Sequence, residues 1–285
     1  MPSLEALQAA GHEIALVVTQ PDRPGHRLKV TPSPVKVAAQ RLRLEVFQPE
    51  RIREPAAVER LAAMGSELIV VVAYGQIIPS SILEMPPRGV VNVHASLLPR
   101  HRGAAPIAYT ILAGDRVTGV TIMQMDEQLD HGPVLAVCET EVGPREDAPS
   151  LTRRLAALGA DCLVDTLGRL DEIVPREQDH AAATLAPRLK KEAGELGWSL
   201  PAEEIDRRVR AFKPWPGVML PWRGERLKVL AGRPVPGPAG EPGDYLGVQE
   251  GGILVATGSG AYLLEEVQLP GKRPMPARIL VAAGA

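Results

Sequence analysis

The chain has 285 residues, 45% of them hydrophobic, and a formal net charge of −2 at pH 7. This length and hydrophobic content suffice for a sizeable core and for two domains. The small net charge excludes binding to polyanions through bulk charge alone, although the residues from Arg188 onward carry a slight excess of Lys and Arg.

The first half of the chain predicts buried strands that alternate with helices. Helices are expected at residues 3–10, 34–44, 55–64, 79–84 and 104–113, and strands at 14–19, 68–74, 119–125 and 134–138, with a further strand that begins at Gly89. Continuous apolar strands separated by helices are typical of a parallel sheet that is covered on both faces. We therefore expect a doubly wound, Rossmann-like and mostly parallel sheet, which binds ligands at the carboxyl ends of its strands.

A loop of roughly fifteen residues, 20–35, follows the first strand and is rich in proline and basic side chains. It is longer than the usual connection of 2–6 residues, and long loops in compact domains are usually functional or disordered. Arg23, Arg27 and Lys29 suit contacts with phosphate groups. On composition alone, a phosphate-contacting arm and a solvated loop explain the segment equally well.

The strand that begins at Gly89 leads into the sequence NVHASLLP at residues 92–99. Because side chains alternate along a strand, Asn92 and His94 share one face and lie about 7 Å apart. An amide N–H can hold a developing oxyanion and an imidazole can move a proton, so the pair suits acyl transfer. Taken alone, an Asn-x-His pair is better explained as the polar end of a strand.

Polar residues follow three of the predicted strands. They are Tyr74-Gly75, residues 92–96, and the turn DEQLDHGP at 126–133. Because the carboxyl ends of parallel strands meet at one sheet edge, these segments are expected to face one crevice. Acids in turns usually cap backbone N–H groups, but Asp126 or Asp130 placed near His94 would orient the imidazole and tune its pKa. His131 is a second acid/base candidate that the sequence does not rank above an exposed histidine.

The second half of the chain begins with an amphipathic helix and ends in short strands. The helix is expected at 150–172, a linker at 174–192, a second helix at 201–212, and strands at 226–230, 245–248, 253–256 and 261–267. Short strands with Gly-rich turns suggest a small OB-like barrel, so we expect domains at 1–173 and 193–285. An aromatic content of 3% is too low for extensive base stacking, which leaves backbone contacts by Arg and Lys as the expected mode of nucleic-acid binding.

Cysteine usage and the lack of targeting segments bear on the compartment. Cys138 and Cys162 have neither metal-like nor disulfide-like spacing and lie among apolar residues, so both are expected to be small core residues in a reducing compartment. No apolar run reaches the roughly 18–20 residues of a membrane span, and the first residues do not resemble a signal peptide. We therefore expect a soluble, cytoplasmic protein without a membrane partner.

Several segments, in the same order along the chain, resemble the methionyl-tRNA formyltransferase family of the folate-dependent formyltransferase superfamily. They are QPDRP at 20–24, PSPVK at 32–36, VAYG at 72–75, NVHASLLP at 92–99, RGAAPI at 102–107, GVTIMQMD at 119–126, LD at 129–130 and RAFKPWPG at 210–217. The Asn-x-His and Leu-Asp signals are shared across the superfamily. The basic loop and the PWPG segment resemble the tRNA enzymes in particular.

The resemblance implies transfer of a formyl group from 10-formyltetrahydrofolate, the co-substrate, to the α-amine of methionine on initiator Met-tRNA, by a monomer and without a metal. In that reaction Asn92 and His94 would stabilise an oxyanion, and Asp130 would orient His94 and help to take the proton of the amine. The resemblance also implies contact residues. Those for the folate would be Tyr74, Gly75, Ser96, Leu97, Leu98 and Pro99, and those for the tRNA would be Arg23, Arg27, Lys29 and Lys36 together with the second domain.

The sequence departs from the family pattern at both ends and in the aspartate loop. The family begins with a strand and a Phe-Gly-Thr-Pro-type loop and ends with a more basic tail, and the sequence contains neither segment. We expect the loss of that strand to uncover the edges of neighbouring strands. Gln128 stands where the family pattern has glycine, a residue that reaches positive φ at lower cost. His131 stands where a small residue is common.

Two other functions stay open on the sequence. Another folate-dependent formyl enzyme, acting on a sugar amine or a glycinamide ribotide or hydrolysing formyl-folate, would use the same Asn92, His94 and Asp130 without the basic loop. A catalytically impaired, tRNA-binding relative would keep the loop and the second domain but would not turn over.

Overall fold

The computed structural model describes residues 1–24, 30–237 and 240–282. The chain divides into two compact units. Unit 1 comprises Met1–Pro106, Val117–Glu141 and Arg153–Pro187. Unit 2 comprises Ile107–Arg116, Val142–Thr152 and Arg188–Ala285.

Six helices and eight strands are described in the first 168 residues. In chain order they are α1 (Pro2–Ala9), β1 (Val17–Val18), β2 (Arg23–Pro24), β3 (Val30–Thr31), α2 (Pro34–Arg41), β4 (Val46–Phe47), α3 (Pro55–Ala63), β5 (Ile69–Val71), α4 (Ser80–Leu83), β6 (Val90–His94), α5 (Pro106–Ala113), β7 (Val117–Gln124), β8 (Val134–Glu141) and α6 (Ala148–Gly168). No helix in the described part of the chain is long and apolar enough to cross a membrane.

The main sheet of unit 1 has the strand order β5-β6-β7-β8. β5 and β6 are parallel, with Val71 opposite Asn92, whereas the β6–β7 and β7–β8 pairs are antiparallel. A second parallel pair joins β1 to β4, and β2 and β3 form a short antiparallel ribbon in the predicted basic loop. The prediction of a Rossmann-like α/β unit with parallel pairing is confirmed. The expectation that its sheet is mostly parallel is wrong for the main sheet, because two of the three strand pairs there are antiparallel.

Apolar packing buries β6, the strand that carries the predicted catalytic pair. Val90 and Val91 are each 1% exposed. Helix α6 lies close to this strand, because a Cβ added at Gly159 would come within 3.1 Å of Val93 Cγ1. Leu155 of the same helix is 2% exposed. A small residue on α6 therefore lets the helix pack tightly against the strand that ends at His94.

Two strands are shorter than the apolar runs that predicted them. β1 spans Val17–Val18 rather than residues 14–19, and β5 spans Ile69–Val71 rather than residues 68–74. β5 ends early because Ala73 has a φ of 47° and Gly75 a φ of 81°, which takes the backbone out of the extended region. The apolar run predicts the strand but does not show where the backbone turns.

The prediction of two unpaired cysteines is wrong. Cys138 on β8 and Cys162 on α6 form a disulfide, with their Cα atoms 6.3 Å apart. The separation of 24 residues gave no sign of this pair, since it arises from the packing of a helix onto a strand. The disulfide ties the outer strand of the sheet to α6.

Unit 2 contains an antiparallel sheet. Its elements after residue 188 are α7 (Ala202–Ala211), β9 (Val218–Trp222), β10 (Glu225–Val235), β11 (Tyr245–Gln249), β12 (Gly252–Ala256), β13 (Ala261–Gln268), β14 (Met275–Pro276) and α8 (Ile279–Ala282). The strand order is β11-β12-β13-β10-β9, with β14 also paired to β13. The antiparallel second domain is confirmed, while the strand pairs of the described residues do not close into the predicted barrel.

The core of unit 2 surrounds Tyr262 on β13, whose relative exposure is 0%. A Cβ added at Gly232 would lie 2.4 Å from Tyr262 Cε1, so a side chain there would displace the ring. The register between β10 and β13 shifts beside Gly232, which is typical of a β-bulge. Ile205 of α7 is also fully buried, as its place on the predicted apolar helix face requires.

Candidate active site

The predicted Asn92–His94 pair lies at the carboxyl end of β6. Asn92 is 9% exposed and His94 is 5% exposed. Their strand runs between β5 and β7, with Asn92 opposite Met123 and His94 opposite Thr121 on β7. Buried polar groups are costly unless they find hydrogen-bond partners, so both side chains need a partner inside the fold.

Asp130 is the hydrogen-bond partner of Asn92 and the acid nearest to His94. Its Oδ1 lies 3.4 Å from Asn92 Nδ2 and 3.5 Å from His94 Nδ1. Its Oδ2 accepts a hydrogen bond of 2.7 Å from the backbone N–H of Gly103. The fold thus brings the three predicted catalytic side chains into one cluster, in which a single carboxylate oxygen stands between an amide and an imidazole.

The other ring nitrogen of His94 determines its tautomer. Nε2 lies 3.0 Å from the carbonyl oxygen of His101. Because a carbonyl only accepts, Nε2 carries a proton. Burial lowers the pKa of His94 below its ordinary value of 6.5, although the Asp130 charge opposes this shift. The imidazole is therefore neutral near pH 7, and its unprotonated Nδ1 faces the carboxylate.

The backbone of the aspartate loop is unusual at Asp130, where φ is 48°. Gln128 has no such conformation, and its N–H instead donates to Asp126 Oδ1 at 2.9 Å in a local turn. The glycine expected at residue 128 is therefore not required by this loop. Gly132 does need to lack a side chain, because its Cβ would meet Gln124 O at 2.1 Å.

Asp126 and His131 form a separate pair in the same loop. His131 Nδ1 lies 2.6 Å from Asp126 Oδ2, and the His131 ring stacks on that of His180 with centroids 3.9 Å apart. Asp126 therefore contacts His131 and the local turn, whereas Asp130 contacts His94. In the part of the chain that the structure describes, no group of three or more His, Cys, Asp or Glu could hold a metal ion.

Comparison with known proteins assigns the chain to a family. Residues 2–167 match the formyl transferase family, and residues 188–283 match the formyl transferase C-terminal domain. The chain belongs to the formyl transferase family. A methionyl-tRNA formyltransferase of Solibacter usitatus is 50% identical over 281 residues, and one of Thermus thermophilus is 47% identical over 278 residues. Each match covers 97% of this chain and 90% of the relative.

Solved structures with low identity share the formyl transferase fold. A sugar 3N-formyl transferase, WlaRD, in the presence of dTDP and 5-N-formyl-THF, matches with a TM-score of 0.67 at 15% identity, over 95% of this chain and 94% of that one. An N-formyltransferase from Helicobacter canadensis, in complex with folinic acid and dTDP-3-aminofucose, has the same TM-score at 14% identity, with 94% of both chains covered. At these identities the likeness establishes the fold alone.

In this formyl transferase, internal hydrogen bonds hold the turn at residues 96–99 that was predicted to contact a folate. Ser96 is fully buried, and its hydroxyl donates to Arg100 O at 2.6 Å. The N–H of Leu98, which is also buried, donates to Thr121 Oγ1 at 3.1 Å. The other two predicted contacts of the turn, Leu97 and Pro99, are half-buried. Ser96 and Leu98 thus shape the turn, and its remaining side chains keep surface for a ligand.

Tyr74 and Gly75, the other predicted folate contacts, follow the end of β5. Gln20 Nε2 donates to Tyr74 O at 2.8 Å, and Gly75 is exposed. The Tyr74 hydroxyl is buried and has no hydrogen-bond partner among the described residues. Burial also raises the pKa of Tyr74, so the phenol keeps its proton. A buried donor without a partner fits a site that a polar ligand group completes.

The predicted tRNA-contact residues differ in their surroundings. Arg27 and Lys29 lie outside the described residues. Arg23 is exposed, and its guanidinium lies 3.3 Å from Gln20 Oε1. Lys36 Nζ pairs with Asp22 Oδ2 at 2.5 Å, and this hydrogen bond lowers the pKa of Asp22. Arg23 thus presents its charge at the surface, whereas Lys36 is partnered within the protein.

Arg102 and Gln178 are two polar residues next to Asp130 that the sequence did not single out. They are 8% and 7% exposed, and Arg102 Nη2 donates to Gln178 Oε1 at 2.7 Å. Gln178 lies in the segment predicted as a linker, where Arg176 also bridges to Val134. The RG pair at 102–103 was a visible signal, because it belongs to the motif that carried the family resemblance. Nothing in the polar sequence around Gln178 indicates burial.

Proposed function

We propose that this formyl transferase moves the formyl group of 10-formyltetrahydrofolate to the α-amine of methionine on initiator Met-tRNA. The observation that carries the proposal is the placement of Asp130 Oδ1 at 3.4 Å from Asn92 Nδ2 and 3.5 Å from His94 Nδ1. Relatives that are 47–50% identical over 97% of the chain are methionyl-tRNA formyltransferases, which supports this acceptor.

Asn92 is the proposed donor to the formyl oxygen. Its amide has two N–H groups, of which one reaches Asp130 Oδ1 and the other is available to a carbonyl oxygen. Negative charge develops on that oxygen as the amine adds, so a fixed donor stabilises the transition state more than the ground state. The burial of Asn92 strengthens this hydrogen bond, because little water competes with it.

His94 is the proposed proton carrier. The neutral ring accepts a proton at Nδ1 from the amine as that nitrogen becomes positive. In the imidazolium, both N–H groups have acceptors, namely Asp130 Oδ1 and His101 O. His94 then releases the proton to the nitrogen that loses the formyl group. One proton leaves the acceptor amine and one reaches the donor, which balances the transfer.

10-Formyltetrahydrofolate supplies an already activated formyl group. Leu97, Leu98 and Pro99 would form one wall of its site, with Ser96 holding their turn, and Tyr74 and Gly75 would form another. The Tyr74 hydroxyl would donate to a polar group of the folate, since it has no partner among the described residues.

The tRNA would be held mainly through its phosphates. Arg23, Arg27 and Lys29 of the basic loop would supply charge, and Lys36 would brace the loop through Asp22. We propose an OB-like arrangement for the antiparallel sheet of unit 2, with Arg and Lys side chains that contact the tRNA backbone. Such binding releases counterions and weakens as salt rises. A tRNA acceptor places the proposed reaction in the cytoplasm.

The test is a formylation reaction with purified protein, 10-formyltetrahydrofolate and initiator Met-tRNA. We expect formyl-methionine after deacylation, identified by mass spectrometry. Parallel reactions contain a dTDP-amino sugar in place of the tRNA, or the folate with no acceptor. Formylation of the sugar alone would reassign the substrate, release of formate without acceptor would indicate a hydrolase, and no product in any reaction would refute the proposal.

A further inference from the structure

The side-chain amide of Gln178 makes four hydrogen bonds inside unit 1. Its Oε1 accepts from Arg102 Nη2 at 2.7 Å and from Arg102 Nε at 3.2 Å. Its Nε2 donates to Asp130 O at 3.0 Å and to Gly132 O at 2.8 Å. A guanidinium only donates and a carbonyl only accepts, so a flipped amide would lose all four bonds. The amide therefore has one orientation, and its N–H groups hold the backbone of the aspartate loop.

Arg102 fixes the other side of Gln178. Its Nη2 also lies 2.9 Å from His180 Nδ1, which must accept because the guanidinium cannot. The Arg102 backbone is held as well, since its N–H donates to Thr184 O at 2.8 Å and its O accepts from Ala186 N at 2.7 Å. Gln178 therefore donates its hydrogen bonds to the aspartate loop from a position that Arg102 fixes.

Asp130 needs such support. A φ of 48° is unfavourable for a residue with a side chain and persists only where the surroundings enforce it. Gln178 holds the Asp130 carbonyl, and the N–H of Gly103 holds carboxylate oxygen Oδ2. Because the Asp130 carbonyl and Oδ2 are both held, Oδ1 is fixed between Asn92 Nδ2 and His94 Nδ1.

We propose that Gln178 is a positioning residue for formyl transfer, which acts through the backbone of Asp130 and Gly132 to hold the Asp130 carboxylate against Asn92 and His94. The activity part of this proposal rests on the proposed function, whereas the geometric part concerns the free protein. The two parts are therefore tested by different measurements.

Two substitutions separate the donor role of Gln178 from its bulk. Gln178→Met keeps the length of the side chain and removes all four hydrogen bonds. Gln178→Glu keeps an acceptor for Arg102, and a charged one, but has no N–H for the two carbonyls. We expect kcat to fall by roughly 10²-fold in both, because a misplacement of about 1 Å has that effect. We expect KM for Met-tRNA and for the folate to stay within about threefold, because Gln178 is 7% exposed and its amide bonds to the protein itself.

A histidine NMR titration tests the geometry without substrate. Burial has the largest effect on the pKa of His94 and lowers it. Asp130 raises this pKa, as does the hydrogen bond to the His101 carbonyl, whereas the charges of His101 and Arg102 have smaller effects that lower it. Displacement of the Asp130 carboxylate in Gln178→Met should therefore lower the pKa of His94 further. The low-pH limb of the kcat profile should move to lower pH by the same amount.

Ile82→Val is the matched control. Ile82 is 1% exposed on α4 in the same unit, and loss of one methylene there should lower the thermal midpoint without touching the polar cluster. If Gln178→Met and Ile82→Val lose activity only in proportion to stability, and the His94 pKa is unmoved, Gln178 is structural and the proposal is refuted. A wild-type kcat in Gln178→Glu would also refute the proposal. This second variant keeps the test decisive even if Gln178→Met does not fold. A moved His94 pKa together with an inactive wild type would refute the proposed function instead.

Discussion

Replacement of Asp130 by asparagine changes the charge of the cluster but hardly its size. In Asp130→Asn the remaining side-chain oxygen continues to accept the N–H of Gly103, so the new NH₂ group replaces Oδ1. The new NH₂ group faces Asn92 Nδ2, and no hydrogen bond forms between them because both are donors. The same NH₂ group donates to the unprotonated Nδ1 of His94. The variant thus loses the bond to the amide and blocks the nitrogen that takes up the proton.

The expected loss follows from these two effects. General acid–base catalysis contributes roughly 10²–10⁴ in rate, so we expect kcat/KM for formylation to fall about 10³-fold. This factor corresponds to about 4 kcal/mol of transition-state stabilisation. The fall should be in kcat, since Asp130 is 11% exposed and its bonds are to the protein. The assay is single-turnover formylation of Met-tRNA at saturating folate.

Asp126→Asn is the matched control in the same loop. The Asp126 carboxylate lies against His131 and caps the N–H of Gln128, and asparagine keeps an oxygen for that cap. We expect this variant to stay within about threefold of wild type. If Asp130→Asn retains more than a third of the wild-type kcat/KM while its thermal midpoint is unchanged, the assigned proton path is wrong.

Three further predictions concern stability and binding. Because burial lowers the folded-state pKa of His94 below its unfolded value of 6.5, the unfolded chain binds the extra proton and stability should fall as pH drops below about 6.5. Urea titrations from pH 5 to 8 should show that decline in wild type and a shallower one in His94→Gln, and equal slopes would contradict the burial argument. Neutralising Arg27 and Lys29 should weaken tRNA binding and reduce the slope of log K against log salt by about 1.4–1.8, so an unchanged slope would exclude the loop from the contact. Reduction of the Cys138–Cys162 disulfide, which spans 24 residues, should lower the free energy of unfolding by roughly 3 kcal/mol, measured in urea with and without reductant. Two free thiols in the oxidised protein would contradict the pairing.

Asn92 and His94 were recognisable from the sequence because their relation is local. Alternation along a strand places them on one face whatever the rest of the fold does. The Ser33 cap of α2 is local in the same way, since the Ser33 hydroxyl accepts from the N–H of Lys36, three residues on, at 3.1 Å. Such features depend on a few neighbouring residues and on standard backbone geometry.

The choice between Asp126 and Asp130 could not be made in this way. Both acids lie in one turn, and the sequence alone does not show that Asp130 takes a φ of 48°, which directs its carboxylate to β6. The resemblance to known formyltransferases pointed to Asp130, and the distances of 3.4 and 3.5 Å supply the physical reason.

Residue order thus predicted the chemistry at the strand end, the alternation of strands and helices, and two domains, since each follows from local pattern. Long-range packing decided that Gln178 of a polar segment supports Asp130, and that Cys138 and Cys162 meet. These contacts join residues 48 and 24 positions apart. Their formation depends on how helices and loops pack on the sheet, and no short stretch of sequence contains that information.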